Sequence, residues 1–367
     1  MKILYLSNHL NIGGITSYLL TLARGLKSRG HEVYIASSSQ GLTAGYSKEG
    51  FTFFPIPIRT KKDLSPKIIF SRIKLSGLIR EYNIGLVHSN TRTTQILGCL
   101  LSKSTGCVHI TTCHGYFKRR LLRRIFPCWG DKIIAVSEQV KEHLLDDFKV
   151  EADKVKVIHN GIDLEKFKIT DQKSKSEAKR VLGFEDSPVL GIIARLSDVK
   201  GHTYLIRAFP EVLDSFPEAK LLLVGRGKMQ AELLKLVKGL NIQNSVFFMP
   251  EVCDTMEMLA AMDIFVMPSL KEGLGLALME AMASAIPVIG SNIGGIKSLI
   301  KDGTTGLLVE PSDIKGLTVA MLDLLENKDK AAALGKNARK FIRENFSQEL
   351  MVEQTEALYL ECLKNRG

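Results

Sequence analysis

VLGIIARLSDVKGHTYLIRAF, residues 189–209, opens with an apolar, β-branched run, turns between Arg195 and Gly201, and then sets Leu205, Ile206 and Phe209 at helical spacing. A short continuous apolar run reads as a buried strand, and apolar residues three and four apart read as the inner face of a helix. The stretch is therefore one strand-to-helix unit. The same unit recurs in both directions. KLLLVGR, SVFFMP, IFVMPS, IPVIGS and TGLLVE follow it as strands, each leading into a helical pattern. KILYLS, EVYIAS, FTFFPI, IGLVHS, VHITTC, KIIAVS and KVIHN precede it, with helical patterns such as ITSYLLTLARGLKSR and PKIIFSRIKLSGLIREY between them. Strand alternating with helix predicts α/β architecture with doubly wound parallel sheets.

The alternation lapses once, around HNGIDLEKFKITDQKSKSE, which predicts a linker near 161–174 and two domains. A chain of 367 residues is long enough for two cores of ordinary size. From about Asp313 to Arg366 the pattern is helical with no further strand. Open α/β sheets bind ligands at the carboxyl ends of their strands, so function is sought in the loops there and in a cleft between the domains.

Composition narrows the classes. Six cysteines stand far apart with no C-x-x-C pair, which fits a reducing compartment and neither a disulfide framework nor a structural zinc site. The start, MKILYLSNHLNIGG, reads as a first strand and not as a signal peptide, and no stretch approaches the ~20 apolar residues of a spanning helix. The expectation is a cytoplasmic protein. Net charge is +11, unevenly placed: residues 1–170 hold 26 Lys and Arg against 13 Asp and Glu, and residues 171–367 hold 24 against 26. All of the positive excess lies in the first half, which suits an anionic partner there.

Three places carry chemistry. Gly13-Gly14 follows the first strand and opens a helix, where amides and the dipole suit an anion; a tight turn is the alternative. The pattern is not G-x-G-x-x-G, and no acidic residue follows the second strand to grip a ribose, which disfavours a nicotinamide or flavin enzyme. Arg195 at a strand end and Lys200 ahead of a helix suit a diphosphate, one as a forked donor and the other as a point charge; solvated surface charge is the alternative. PSLKEGLGLALMEAMASAIPVIGS, residues 268–291, puts Glu272 and Gly273-Leu274-Gly275-Leu276 before a helix that carries Glu280 eight residues on. Loop amides there can meet a phosphate, and the two carboxylates can accept from hydroxyls of sugar or ribose. Glu280 stands among Leu276, Ala277, Met279, Ala281 and Met282, where an acid without a partner is unfavourable.

Glu272 and Glu280 at this spacing, with Arg195 and Lys200 before them and Gly13-Gly14 at the start, resemble the retaining glycosyltransferases of family GT4 over nearly the whole chain. The resemblance implies a GT-B fold of two Rossmann-like domains: an acceptor-binding domain at 1–165, completed by a helix at about 348–367, and a nucleotide-sugar domain at 166–347. It implies that Arg195 and Lys200 bind the donor diphosphate, Glu280 the ribose, Glu272 the transferred sugar, Gly273 to Leu276 the sugar and phosphates, and backbone near Val252 the base. His114, in TTCHGYF, matches a position where the family often keeps a histidine beside the donor sugar, although a lone histidine is more often structural. His88 and His109 are left as core or rim residues. There is no D-x-D, so no metal or other cofactor is expected and the cations take the place of a metal. The rivals are an epimerase or oxidoreductase on a similar scaffold and a non-catalytic binder of sugar nucleotides.

GYFKRRLLRRIFPCWG, residues 115–130, interleaves Lys118, Arg119, Arg120, Arg123 and Arg124 with aromatic and aliphatic residues. As a helix it would gather Phe117, Leu121, Leu122, Ile125 and Trp129 on one side, suiting an anionic bilayer at the inner face of the cell membrane; an ordinary domain helix is the alternative. In GT-B enzymes the first domain receives the acceptor, so the expected acceptor is a glycan or lipid-linked molecule. No nucleic-acid module accompanies the charge, and nucleic acid is not expected.

Overall fold

The computed structural model describes residues 1–11, 13–38, 50–60, 65–119, 123, 125–168, 172–252 and 254–366. The chain divides into two compact units, residues 1–161 with 348–367, and residues 162–347.

The first unit is built on a parallel sheet of β1 (Lys2–Leu6), β2 (Glu32–Ser37), β3 (Thr52–Pro55), β4 (Leu86–Ser89), β5 (Val108–Cys113), β6 (Lys132–Ala135) and β7 (Val155–Val157), among the described residues. Their spatial order is β3-β2-β1-β4-β5-β6-β7, so the order reverses between β1 and β4. Ile3 is level with Val33 on one side and Leu86 on the other. The connections run through α1 (Gly14–Ser28), α2 (Pro66–Glu81), α3 (Arg92–Thr105) and α4 (Glu138–Phe148). Local chemistry starts and stops them. Ser65 caps α2 by accepting from the Lys67 amide, with Pro66 at the first helical position. Thr91 and Thr94 form a reciprocal cap on α3, which ends at Gly106 in the left-handed region. One sheet face is covered by α1 and the chain's last helix, the other by α2 and α3.

A chain of polar groups threads the first of these cores. The Tyr5 and Tyr359 hydroxyls are 3.0 Å apart, Tyr359 also meets His88 Nδ1, His88 Nε2 lies 2.7 Å from Thr112 Oγ1, and the Tyr18 hydroxyl is 3.1 Å from that same oxygen. Burial holds the His88 imidazole well below its ordinary pKa, so it is neutral.

The second unit is built on β8 (Val189–Ile193), β9 (Lys220–Val224), β10 (Val246–Met249), β11 (Ile264–Met267), β12 (Val288–Ser291) and β13 (Leu307–Val309), all parallel, in the order β10-β9-β8-β11-β12-β13. Its helices are α5 (Gln172–Leu182), α6 (His202–Ser215), α7 (Gln230–Gly239), α8 (Met256–Ala261), α9 (Leu276–Ala283), α10 (Gly294–Leu299), α11 (Ile314–Glu326) and α12 (Lys328–Asn345). The last helix, α13 (Gln348–Lys364), belongs to the first unit. Its Met351, Val352, Leu358 and Tyr359 are buried among β1, β2 and α1 residues. In the second unit the order reverses between β8 and β11, so the loops leaving those two strands flank the switch point where open α/β sheets take their ligands.

Candidate active site

The two loops at that switch point are tied to each other. The Leu270 amide donates to the Val199 carbonyl at 2.8 Å. Gly201, at φ 75°, sits so close to the next strand's exit that a Cβ would lie 1.8 Å from the Pro268 carbonyl oxygen. Only glycine fits both the backbone angle and the approach. This fixes Lys200, at the end of a single 3-10 turn (Asp198–Lys200), against the following loop. Its ammonium pairs with Glu272 Oε2, and both side chains are largely covered.

Glu272 Oε1 also accepts from the Gly273 amide at 3.3 Å, and the Glu272 carbonyl accepts from the Gly295 amide at 3.3 Å. The carboxylate is thus held at the entrance to α9. Gly273, Leu274 and Gly275 are buried, and Gly275 at φ 92° makes the turn into the helix, which no side chain caps. Leu276 begins that helix and Glu280 lies one turn on. The Thr255 hydroxyl donates to Glu280 Oε2 at 2.9 Å. Burial pushes the Glu280 carboxyl up to about 7, opposed by the Thr255 hydrogen bond and the Lys166 charge. At neutral pH this carboxyl stands between its two protonation states.

Arg195 lies just past β8, exposed, with no side-chain hydrogen bond or ion pair among the described residues. Around these loops, Ser197 Oγ, Ser269 Oγ and both ring nitrogens of His202 are buried with no hydrogen-bond partner among the described residues. Burial, with Lys200 nearby, lowers the His202 pKa to about 4. Buried polar groups left unpaired cost stability, and they gather where something other than packing sets the residue. Val252 is half-buried beyond β10, and its neighbour Cys253 lies outside the described residues.

Gly13, Gly14 and His114 belong to the first unit. Gly13 caps α1 at φ 152° with no side-chain partner for the helix amides, and the space a Cβ would take is open. His114 follows β5; its Nε2 is 3.1 Å from Asn90 Oδ1, and its ring meets that of Tyr18 edge-on at 4.7 Å. Burial lowers its pKa to about 3, so the imidazole is neutral. Nε2–H then donates to Asn90, leaving Nδ1 as an acceptor. Asn90 and Thr255 went unmarked in the sequence. Asn90 was findable as a polar residue at a strand exit, whereas the Thr255 contact joins residues 25 apart with no local signal.

The basic stretch after His114 departs from expectation. Residues 116–119 are not helical, and Arg120 and Arg124 lie outside the described residues. Lys118 is exposed, and Arg119 is exposed and pairs with Asp147. Arg123 and Trp129 are each only 9% exposed. The Arg123 guanidinium lies 4.0 Å from the Phe117 ring centre, and Trp129 packs edge-on against Phe148 at 5.7 Å. Phe117 and Trp129 close on Phe148 of α4, so Trp129 is no bilayer anchor, while Ile125 and Phe126 of the same stretch are 57% and 59% exposed. Interleaved aromatic and basic residues satisfy such a cluster, with a cation over a ring, as readily as an amphipathic helix.

The first unit's sequence matches the model of glycosyltransferase family 4 over residues 12–166, and the second unit's matches that of glycosyl transferases group 1 over residues 174–341. An N-acetyl-alpha-D-glucosaminyl L-malate synthase of Bacillus anthracis is 27% identical, the alignment covering 97% of this chain and 96% of that one. A UDP-Gal:alpha-D-GlcNAc-diphosphoundecaprenol alpha-1,3-galactosyltransferase of Escherichia coli is 27% identical over 91% of this chain and 90% of its own. Among solved structures, the Anabaena protein HepE in complex with UDP and glucose superposes with a TM-score of 0.87 at 23% identity, over 98% of this chain and 100% of that one, which establishes the fold. With both units matched and two parallel Rossmann-like sheets in place, the chain belongs to the GT4-type glycosyltransferases of GT-B fold.

Proposed function

We propose that the protein transfers a hexose from a nucleoside diphosphate sugar to a hydroxyl of a glycan or lipid-linked acceptor, with retention at the anomeric carbon and without a metal. The observation that carries this reading is the Lys200–Glu272–Gly273 array at the mouth of α9, with Arg195 on the neighbouring loop exposed and without a side-chain partner among the described residues. Arg195 and Lys200 neutralise the diphosphate as the glycosidic C–O bond breaks. Lys200 would exchange part of its pairing with Glu272 for the phosphate oxygens, freeing Glu272 to accept from hydroxyls of the sugar. Glu280 accepts from the ribose. The acceptor oxygen attacks the face the diphosphate is leaving, and its proton passes to a departing phosphate oxygen, so charge and atoms balance. Neutral His114 positions a hydroxyl through Nδ1 and carries no charge.

UDP is the favoured carrier, by analogy with the Escherichia coli relative's named donor and the UDP and glucose in HepE. Acceptor recognition falls to the first unit, in the basic half of the sequence, which suits the diphosphate of a lipid carrier. Arg195→Ala and Lys200→Ala should each lower kcat by roughly 100-fold or more, the scale of losing one preorganised charge contact. Near-wild-type turnover in both variants would remove the assignment, and NMR of the freshly formed product decides the anomeric outcome.

A further inference from the structure

Helix α2 buries one face and shows an apolar ridge on the other. Ile68, Leu75 and Ile79 pack under the sheet beside Leu97 and Leu101 of α3. Ile69, Phe70 and Ile73 point away from that core and are 58%, 73% and 68% exposed. At 100° per residue these three lie within about 100° of one another, nearly opposite Leu75. A helix apolar on both faces meets a second apolar phase on its outer side.

The flanks say which phase. Lys67 and Lys74 stand on one side of the ridge and Arg72 on the other, all exposed. Lys67 and Arg72 have no side-chain partner among the described residues, while Lys74 donates to the Pro55 carbonyl at 2.9 Å. Within the helix the cations Lys67, Arg72, Lys74 and Arg80 face a single acid, Glu81. A second copy of this chain would set cations against cations across the ridge. Three side chains also fall short of the ~800 Å² per partner of a standard protein interface. An anionic bilayer accepts both features, with aliphatic and aromatic side chains among the acyl chains and lysine and arginine at the headgroups.

We propose that the outer face of α2, through Ile69, Phe70 and Ile73 with Lys67 and Arg72, docks the first unit on an anionic membrane surface. This assigns the bilayer contact to α2, whereas Arg123 and Trp129 of the basic stretch are turned inward. It rests on the lipid-linked acceptor reading for its purpose and not for its geometry.

The test is co-sedimentation of the full chain with phosphatidylcholine vesicles made with and without phosphatidylglycerol. Wild type should partition onto the anionic vesicles and release in ~0.5 M salt, where the screening length is a few Å. The Ile69→Ser, Phe70→Ser, Ile73→Ser triple variant and the Lys67→Glu, Arg72→Glu double variant should each lose partitioning by roughly tenfold or more. Both change exposed side chains, so their melting should match wild type; if the triple variant misfolds, the double variant decides. Binding of the nucleoside diphosphate sugar in solution, without vesicles, should be the same in all three proteins, and its absence in all would refute the donor-binding reading while leaving vesicle binding to judge the docking. No partitioning, equal partitioning onto neutral vesicles, unchanged binding in both variants, or a wild-type dimer that the triple variant dissolves would overturn the proposal.

Discussion

Replacing Glu280 by glutamine should stabilise the protein above neutral pH and weaken donor binding at the same time. An unfolded chain titrates this carboxyl at 4.5, and burial in the folded chain moves it to about 7. Between those values the folded state holds a proton that the unfolded state has released, so this group makes stability fall as pH rises from 4.5 to 7. At ~1.4 kcal/mol for each pKa unit, ionised Glu280 costs the folded state about 3 kcal/mol above pH 7. The side chain keeps some solvent access, which reduces the figure to about 2 kcal/mol. Glutamine has the same shape, still accepts from Thr255, and carries no charge to desolvate. In a unit of this size that gain raises the melting temperature by roughly 4–8 °C. The assay is thermal melting of both proteins at pH 5 and pH 8. The variant should melt higher at pH 8, with the difference shrinking toward zero at pH 5. A variant that melts at or below wild type at pH 8, or a gain that does not depend on pH, refutes the reasoning. If Glu280 takes ribose hydroxyls, the same variant loses a charge-assisted hydrogen bond and binds donor roughly 10–100-fold more weakly.

Three further outcomes follow from geometry. Gly201→Ala places a Cβ 1.8 Å from the Pro268 carbonyl oxygen at a φ of 75°, so it should destabilise by about 3 kcal/mol or more in denaturant titration and disturb the Lys200–Glu272 pair. Arg195→Ala removes an exposed side chain with no partner among the described residues, so its stability should stay within about 0.5 kcal/mol of wild type even as turnover falls. Tyr359→Phe removes the hydroxyl between Tyr5 and His88 and leaves both buried, at a cost of about 1–3 kcal/mol measured by urea unfolding.

Both sheets were legible because strands of a doubly covered parallel sheet are buried on both faces and read as unbroken runs such as KLLLV and IFVM. The region of the candidate site was legible for a related reason: strand exits at a switch point are where charged and glycine residues interrupt those runs, as Arg195, Lys200 and Glu272 do. Which of them touch was not legible. Lys200 and Glu272 are 72 residues apart, and their pairing depends on the β8–β11 adjacency and the Gly201 approach to Pro268. Phe117 and Trp129 misled because their spacing is shared by an amphipathic helix and an aromatic cluster folded onto α4. The α2 ridge escaped notice because its apolar residues occur all round the helix, so no single face stood out until the sheet claimed one of them.

The central claim is that the second unit's loops hold a nucleoside diphosphate sugar through Arg195, Lys200, Glu272 and Glu280. Calorimetric titration of wild type and Lys200→Ala with UDP-, GDP- and ADP-linked hexoses tests it most directly. One donor should bind wild type with a single site and bind the variant at least roughly tenfold more weakly, as loss of a charged phosphate contact requires. Binding of no donor, or equal binding to both proteins, would contradict the account.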